Sequence, residues 1–259
     1  MVGGLFQPLA IPLVMPLQER IIAPLSKGGY DLLDAILGAG GADYAFYDFT
    51  RLPFLFQDSA GTTPVTTVGQ SVGRANVVKK SSHNAQQASG SFKPQFQATG
   101  AKFDGSDDNL ISDWVAGAGM NCILAQVNVP ASISATQVIA GALNAANIAH
   151  LGIITSGNIR AAIGGASYDS AGVDVRGTDC VIGWSADGSG YRLFRDGAVV
   201  GSGAITTNVW PAGGLRIGAL DNAGIAANFF AGSVKRLVLG KKFLTLTDVL
   251  AIRARWLSA

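Results

Sequence analysis

The sequence contains very little glutamate and histidine. Glu19 is the single glutamate among 259 residues, and His83 and His150 are its two histidines. Enzymes that hydrolyse glycosidic bonds use a pair of carboxylates, and serine hydrolases need a histidine beside their nucleophile. Neither histidine lies near a nucleophile-elbow pattern or a carboxylate cluster, so no catalytic triad is predicted. We interpret His150 as a residue at the start of a strand.

Cysteine and charge are also scarce. Cys122 and Cys180 lie in apolar, strand-like runs without a Cys-x-x-Cys spacing, which predicts buried free thiols rather than a disulfide or a metal site. Charged residues make up 14% of the chain and the net charge is +2, with no stripe of basic residues that would indicate a nucleic-acid-binding surface. Globular domains usually contain about 25% charged residues, so this composition favours permanent assembly.

Residues 5–17, LFQPLAIPLVMPL, carry no charge and have a proline at every fourth position. No basic residue precedes this run, so a secretory signal peptide is not predicted. Prolines at this spacing would remove a backbone donor from almost every helical turn, so a membrane span is not predicted either. The pattern favours an extended arm that docks on a partner or, alternatively, folds back on its own domain. The side chains expected to dock are Leu5, Phe6, Leu9, Ile11, Leu13, Val14, Met15 and Leu17.

The region from 18 to 37 has helical spacing of its apolar residues, which predicts two short helices, the second beginning near Asp31 and Asp34. Further on, short apolar runs alternate with clusters of Gly, Asn, Asp and Ser, which predicts a sandwich or barrel of antiparallel strands. Thr245 and Asp248 predict the N-terminal cap of a last helix, which we expect to close the sandwich. The strand-like segments are NCILAQVNVP, TQVIAGAL, HLGIITSGNIRAAIGG, GVDVRG, DCVIGWSADG, YRLFRDGAVVGSG, GLRIGALDN and GSVKRLVLGKKF.

The sharpest local pattern is an Asp-Gly pair at 196–197 between two apolar runs. This pair supplies the two positive φ angles of a tight hairpin turn. Such a turn places Leu193 opposite Val200 and Phe194 opposite Val199, so each face of the hairpin receives one apolar cross-strand pair.

Several segments of the chain share a resemblance. They are FLFQDSAGTTPVTTVGQSVG (54–73), SSHNAQQ (81–87), Pro94, KFDGSDDNL (102–110), YRLFRDGAVVGSG, LRIGALDN and FFAGSVKRLVLGKKFLTLTDV. Together they resemble tailed-bacteriophage virion proteins that carry a concanavalin A-like, laminin-G-like jelly roll. The resemblance implies an all-β jelly-roll sandwich over residues 43–259 with a C-terminal helix, preceded by an extended and helical docking arm over residues 1–42.

The same resemblance implies a structural protein of the virion, assembled in the host cytoplasm. We expect a homo-oligomer in the tail, in the baseplate or in a capsid decoration, bound to other virion proteins through its arm. The alternatives are a host-surface glycan adhesin and, less favoured, a polysaccharide depolymerase. Glycanases of this fold place two carboxylates across a groove, whereas Glu19 lies outside the jelly roll. Asp174, Asp187 and Asp196 each lie beside Gly or in a turn-like context, so a non-enzymatic protein is predicted.

Glycan binding would require an exposed aromatic ring with polar neighbours. The candidate rings are Trp210, Trp184 and Tyr191, with Trp114 and Tyr168 also available. Trp210 lies in a Pro- and Gly-containing loop and is therefore the first to test, whereas Trp184 and Tyr191 are equally explained as core residues.

The fragment DGSDDN is the best metal candidate in the sequence. Asp104, Asp107 and Asp108 offer hard oxygen ligands on a flexible loop, as Ca²⁺ requires, although a plain turn has the same composition. Asp221 and Asn222 would add ligands if the fold brought them to this loop. No other cofactor is predicted.

Overall fold

The computed structural model describes residues 31–38, 44–78, 83–114, 121–144, 147–205 and 214–258. The predicted arm at 5–17 and the first predicted helix lie outside these residues. In the described part of the chain, two β-sheets pack face to face and two helices lie against one of them. The all-β sandwich predicted from the sequence is therefore confirmed.

Sheet A has eight strands. With strands numbered along the chain, they are β1 (Tyr44–Asp48), β5 (Gln95–Gln97), β6 (Gly100–Lys102), β8 (Cys122–Asn128), β13 (Asp179–Ala186), β14 (Gly190–Arg195), β15 (Ala198–Ala204) and β19 (Ser233–Gly240). Their order is β15-β14-β13-β8-β19-β6-β5, and β1 pairs with β19. All the pairings are antiparallel, and β15 forms one edge.

Sheet B has eleven strands. They are β2 (Leu55–Phe56), β3 (Arg74–Asn76), β4 (Asn84–Gln86), β7 (Leu110–Ser112), β9 (Gln137–Asn144), β10 (Asn147–Ile153), β11 (Ile159–Ile163), β12 (Ala166–Asp169), β16 (Leu215–Ile217), β17 (Leu220–Asn222) and β18 (Ile225–Ala227). Their order is β12-β11-β10-β9-β16-β7-β4-β3-β2, and the β17–β18 hairpin joins β9. Strand β12 therefore forms one edge of this sheet.

The central strands of sheet A are buried on both faces. Successive side chains of a strand point to opposite faces, and in β8 Ile123 and Ala125 belong to the core between the sheets. Cys122 and Leu124 belong instead to a second apolar cluster beneath the helices. A strand covered on both sides needs apolar residues at every position, which explains the uninterrupted runs in the sequence.

Helix α1 (Asp31–Leu37) and helix α2 (Leu246–Leu257) cover the outer face of sheet A. The rings of Phe46 in β1 and Trp256 in α2 stack with centroids 6.2 Å apart. The predicted capping box is confirmed: Thr245 Oγ1 accepts from the Asp248 backbone N–H, and the Asp248 carboxylate accepts from that of Thr245. The helix covers a sheet face rather than closing the sandwich, because sheet A exposes apolar side chains there.

The predicted hairpin forms, with one change of register. Both residues of the turn at 196–197 have positive φ, and Phe194 pairs with Val199 as predicted. Leu193 pairs with Gly201 instead of Val200, because a bulge shifts the register between Leu193 and Phe194. One of the two predicted apolar pairs is therefore wrong.

Other local predictions have mixed outcomes. Cys122 and Cys180 are buried free thiols, as predicted. The segment GVDVRG, residues 172–177, is a loop and not a strand, and its Asp174 carboxylate accepts a hydrogen bond from the Arg176 backbone N–H. Within the described residues, no helix has the length and apolar character needed to cross a bilayer.

Candidate functional site

The aromatic residues proposed for glycan binding differ in their exposure to solvent. Trp184 is fully buried between the sheets and its Nε1 donates to the His150 carbonyl oxygen at 3.0 Å, so the prediction of Trp184 as a glycan contact is wrong. Trp114 is also buried. Trp210 lies outside the described residues, and its role stays a prediction. Tyr191 remains partly exposed.

Tyr191 meets a second tyrosine that comes from the opposite sheet. Tyr168 in β12 and Tyr191 in β14 place their ring centroids 4.2 Å apart, with their planes tilted by 32°. Both rings are partly exposed and pack against the edge of the core. A Cβ atom at Gly203 of β15 would lie 3.0 Å from Tyr191 Cε1, so the ring lies where a side chain at 203 would otherwise stand.

An ion pair lies on the other face of β12, because Asp169 is the next residue along the strand after Tyr168. Arg160 and Asp169 form a bidentate contact, with both N···O distances at 2.7 Å. Burial raises the pKa of Tyr191, and the neighbouring Tyr168 and Asp169 raise it further. The Tyr191 hydroxyl therefore remains protonated at neutral pH and can donate a hydrogen bond. A partly exposed aromatic ring with a hydroxyl donor offers a sugar both a stacking surface and a hydrogen bond.

The aspartate loop brings its three carboxylates together. Ligand atoms of Asp104, Asp107 and Asp108 lie within 4.8 Å of one another. Asp104 Oδ1 accepts from the Ser106 backbone N–H at 2.8 Å, and Asp108 Oδ2 accepts from that of Asp104 at 3.0 Å. Burial, and to a smaller extent repulsion from Asp104 and Asp107, raises the pKa of Asp108 to about 6. A cation would relieve that repulsion, and the calcium site stays a prediction.

Asp221 does not join the aspartate loop. It binds Arg216, whose Nε lies 2.8 Å from Asp221 Oδ1 and whose Nη1 donates to Asn109 Oδ1 at 2.7 Å. The third contact of this guanidinium is with the Gly224 carbonyl oxygen at 2.7 Å. Arg216 thus uses Asp221 to anchor the β17–β18 hairpin beside Asn109, which follows the aspartate loop.

The other aspartates considered for catalysis have turn roles, as their sequence context predicts. Asp187 Oδ1 accepts from the backbone N–H groups of Ser189 and Gly190 at 2.8 and 2.9 Å. Asp196 adopts φ of 49° in the hairpin turn, and its Oδ1 accepts from the Val181 N–H at 3.0 Å. The Asp187 carboxylate therefore stabilises its own turn, and the Asp196 carboxylate ties the hairpin turn to β13.

His150 lies within β10 and not at the start of a strand, so that prediction is wrong. Its ring is buried, and burial lowers its pKa to about 4, so the ring is neutral at pH 7. A Cβ atom at Gly141 would lie 2.4 Å from that of His150, so the glycine leaves space for this side chain within the sheet. The other histidine, His83, places Nδ1 3.3 Å from Asp113 Oδ1.

Sequence reasoning named Tyr191 as a candidate but did not pair it with Tyr168. The two residues belong to different sheets, and their contact depends on how β12 and β14 end on the same side of the sandwich. The available signal was that each tyrosine lies in a strand beside Gly- and Ser-containing turns. That signal places a residue near an edge but cannot show which edges meet.

No family model matches the chain, and neither does a curated protein. Among solved structures, a Trypanosoma rangeli sialidase in complex with 2,3-difluorosialic acid as a covalent intermediate aligns with a TM-score of 0.57 at 14% identity, over 85% of this chain and 33% of the sialidase chain. The same sialidase in complex with sialic acid aligns with a TM-score of 0.56 at 15% identity, over 81% and 32%. The CBM40 of a Ruminococcus gnavus IT-sialidase aligns with a TM-score of 0.45 at 15% identity, over 53% and 84%. The sialidase alignments show a shared β-sandwich fold.

Proposed function

We propose that this chain is a non-catalytic carbohydrate-binding sandwich, with Tyr168 and Tyr191 as the surface on which a sugar ring stacks. The observation that carries the proposal is the meeting of two partly exposed rings, one from each sheet, with centroids 4.2 Å apart. A sugar packs its apolar C–H face on such a π-surface. The Tyr191 hydroxyl would then pair with one of its hydroxyl groups.

The absence of catalysis is also part of the proposal. It is supported by the single glutamate of the sequence and by the turn roles of Asp174, Asp187 and Asp196. The structures of similar fold guide the choice of probes, since one of them contains sialic acid. A test should therefore include sialylated glycans together with neutral bacterial surface polysaccharides.

A glycan array with the full chain tests this function. Tyr191→Ala is expected to weaken binding about five- to thirtyfold, because the loss of an aromatic contact costs about 1 to 2 kcal/mol. Tyr191→Phe should retain most of the stacking. The matched control is Phe92→Ala, because Phe92 is an aromatic ring that is 40% exposed and lies in a short 3-10 helix (Gly90–Phe92) rather than in β14. Wild-type protein that binds no glycan, or Tyr191→Ala that binds as tightly as wild type, would contradict the proposal.

Trp210→Ala belongs to the same experiment. If Trp210 contributes a second ring, as the sequence predicts, this variant will also lose binding while Phe92→Ala does not. If Trp210→Ala abolishes binding and Tyr191→Ala leaves it unchanged, the sugar contacts the segment around Trp210 and not the tyrosine pair.

We also propose that the module is a structural component of a tailed-phage or phage-like particle and attaches through its N-terminal arm. Two features support this: the resemblance of its sequence segments to virion jelly rolls, and the uncharged residues 5–17. Helix α1 packs on sheet A, so the informative truncation removes residues 1–30 and retains α1. Particles should incorporate the full chain and not this truncated chain, although both fold. Normal incorporation of the truncated chain would exclude arm-mediated attachment.

The depolymerase alternative has one specific observation in its favour. Asp108 has a raised pKa of about 6 and lies beside Asp104, and such a pair can divide acid and base roles. Release of reducing ends from bacterial capsule by wild type, and its loss in Asp108→Asn, would establish this function. Our proposal predicts no release by either protein.

A further inference from the structure

Strand β15 is an unprotected edge of sheet A. In the part of the chain that the structure describes, it pairs with β14 on one side and with no strand on the other. Its sequence, AVVGSGA, contains no charged residue and no proline, and Val199 is 41% exposed. Native proteins protect such edges with charge, proline or a cover, because free N–H and C=O groups recruit another strand. A bulge near Val200 interrupts this edge locally, and among the described residues no charge, proline or covering strand protects the rest of it.

The prolines of the N-terminal arm all have the same parity. Pro8, Pro12 and Pro16 occupy even positions, and in a strand the backbone N–H and C=O groups of even residues all point to one edge. That edge lacks three donors, whereas the edge formed by the odd residues retains every donor. Proline is tolerated in a sheet where its missing N–H faces away from the neighbouring strand. The arm can therefore pair on one side only and would terminate a sheet.

The side chains of the arm follow the same period. The odd positions hold almost entirely large apolar residues, so one face of an extended arm would be apolar along its length. These residues are Leu5, Leu9, Ile11, Leu13, Met15 and Leu17, and Gln7 is the exception.

The inner face of the β15 edge suits such a strand. Leu193 and Tyr191 of β14 lean across Gly201 and Gly203, since a Cβ atom at either glycine would lie 3.0 Å from them. Apolar groups of β14 therefore lie close to the boundary of the sheet at Gly201 and Gly203, where β15 has no side chain to cover them. A strand added about 4.8 Å beyond β15 would bring its apolar face next to these groups.

We propose that residues 5–17 of a neighbouring copy of this chain add to sheet A as a new strand alongside β15. A second copy is the expected source because the low charge of the chain, 14% charged residues, favours permanent assembly and every copy carries both the arm and the β15 edge. Between position 17 and Asp31 the chain is long enough to reach another subunit, since extended residues span about 3.3 Å each. This inference deepens the arm-mediated assembly proposed above and does not depend on carbohydrate binding.

The parity of the prolines provides the test. Leu13→Pro removes a donor from the pairing edge, whereas Val14→Pro, its matched control, places a further proline on the edge that already lacks donors. Analytical ultracentrifugation of full-length protein should show an oligomer for wild type and Val14→Pro, with at least tenfold weaker association for Leu13→Pro. Leu13→Ala measures the part of that loss due to the side chain alone. Equal weakening by both proline variants would overturn strand addition.

Hydrogen–deuterium exchange locates the contact. The amides of β15 should be protected in the oligomer and should exchange faster in Leu13→Pro, while the amides of β13 remain unchanged. A wild-type protein that is monomeric at all concentrations overturns the neighbouring copy as the source, even if β15 is protected. Tyr168→Ala separates the two proposals, because Tyr168 lies in β12 of sheet B and not at the β15 edge: it should weaken glycan binding and leave association within threefold of wild type.

Discussion

The centre and the edge of sheet A are built on different principles. Strands β8, β13 and β19 are covered on one face by sheet B and on the other by α1 and α2. Strand β15 is exposed along most of its length and contains only small or β-branched residues. The centre is therefore devoted to stability, and the edge, together with the neighbouring Tyr191, is the part of the sheet available for binding.

The largest effect on stability is expected at a buried ion pair in the centre of sheet A. Arg236 Nε lies 3.2 Å from Asp48 Oδ2, and its Nη1 donates to Gln126 Oε1 and to the Trp256 carbonyl oxygen. Arg236→Met should lower the free energy of unfolding by about 3 to 5 kcal/mol in urea titrations, because it removes the buried cation beside Asp48 and the donor that serves Gln126 Oε1 and the Trp256 carbonyl oxygen.

The control for this variant uses the same carboxylate. Arg51 also contacts Asp48, at 3.6 Å, but its side chain is 44% exposed. Arg51→Met should therefore lower the free energy of unfolding by less than about 1 kcal/mol. Equal losses for the two variants would show that burial of the Arg236 pair is unimportant.

Two glycines of the β13–β14 region sharpen the contrast. A Cβ atom at Gly183, in the middle of β13, would lie 2.4 Å from the Ile123 carbonyl oxygen, whereas one at Gly188 would have no neighbour within 4 Å. Gly183→Ala should destabilise the protein by about 1 to 3 kcal/mol through overpacking. Gly188→Ala should be neutral in the same thermal or urea unfolding experiment. A destabilising Gly188→Ala would mean that the turn, too, is tightly constrained.

A smaller, pH-dependent effect is expected at the aspartate loop. The pKa of Asp108 is about 6 in the folded protein and 3.8 for an ordinary aspartate, so the unfolded chain ionises first as pH rises. Stability is therefore lost between about pH 4 and pH 6. Asp108→Asn, which keeps an oxygen for the Asp104 N–H, should be more stable than wild type by about 1 to 2 kcal/mol at pH 7 without Ca²⁺, and equal to it below pH 4.

If the aspartate loop binds Ca²⁺, the ion should make wild type more stable than Asp108→Asn at pH 7. Millimolar Ca²⁺ should then raise the melting temperature of wild type and leave Asp108→Asn unchanged. Titration calorimetry that shows no heat at this concentration would remove the calcium prediction without affecting the pH prediction.

The smallest effect is expected at the edge. Val199→Ala removes an exposed side chain from β15 and should change the free energy of unfolding by no more than about 0.5 kcal/mol. A decrease of about 2 kcal/mol in the free energy of unfolding, measured in urea titrations, would indicate that the Val199 side chain is buried by a partner in solution.

Sequence patterns predicted the structure correctly where its physical cause lies within a few residues. The Asp-Gly turn at 196–197 requires two positive φ angles and forms as expected. The cap formed by Thr245 and Asp248 needs residues only three positions apart. Register was less predictable, since the bulge that moves Leu193 opposite Gly201 has no marker in the sequence.

The candidate site was only partly predictable. Tyr191 was identified from its sequence context, but Trp184 was not distinguishable from an exposed ring until burial was known. The contact between Tyr168 and Tyr191 arises from the packing of two sheets and leaves no trace in either segment. His150 was misplaced for a similar reason, because the space for its ring is provided by Gly141 on a neighbouring strand.

The sequence by itself determined the all-β class, the tight turn, the last helix and the parity of the arm prolines, because each depends on interactions between residues close together in the chain. The tertiary structure alone decided which face α2 covers, which carboxylates meet and which tyrosines form a pair. Those outcomes depend on contacts between strands far apart in sequence, and the free energy of such contacts comes from burial, which local patterns indicate but do not assign to partners.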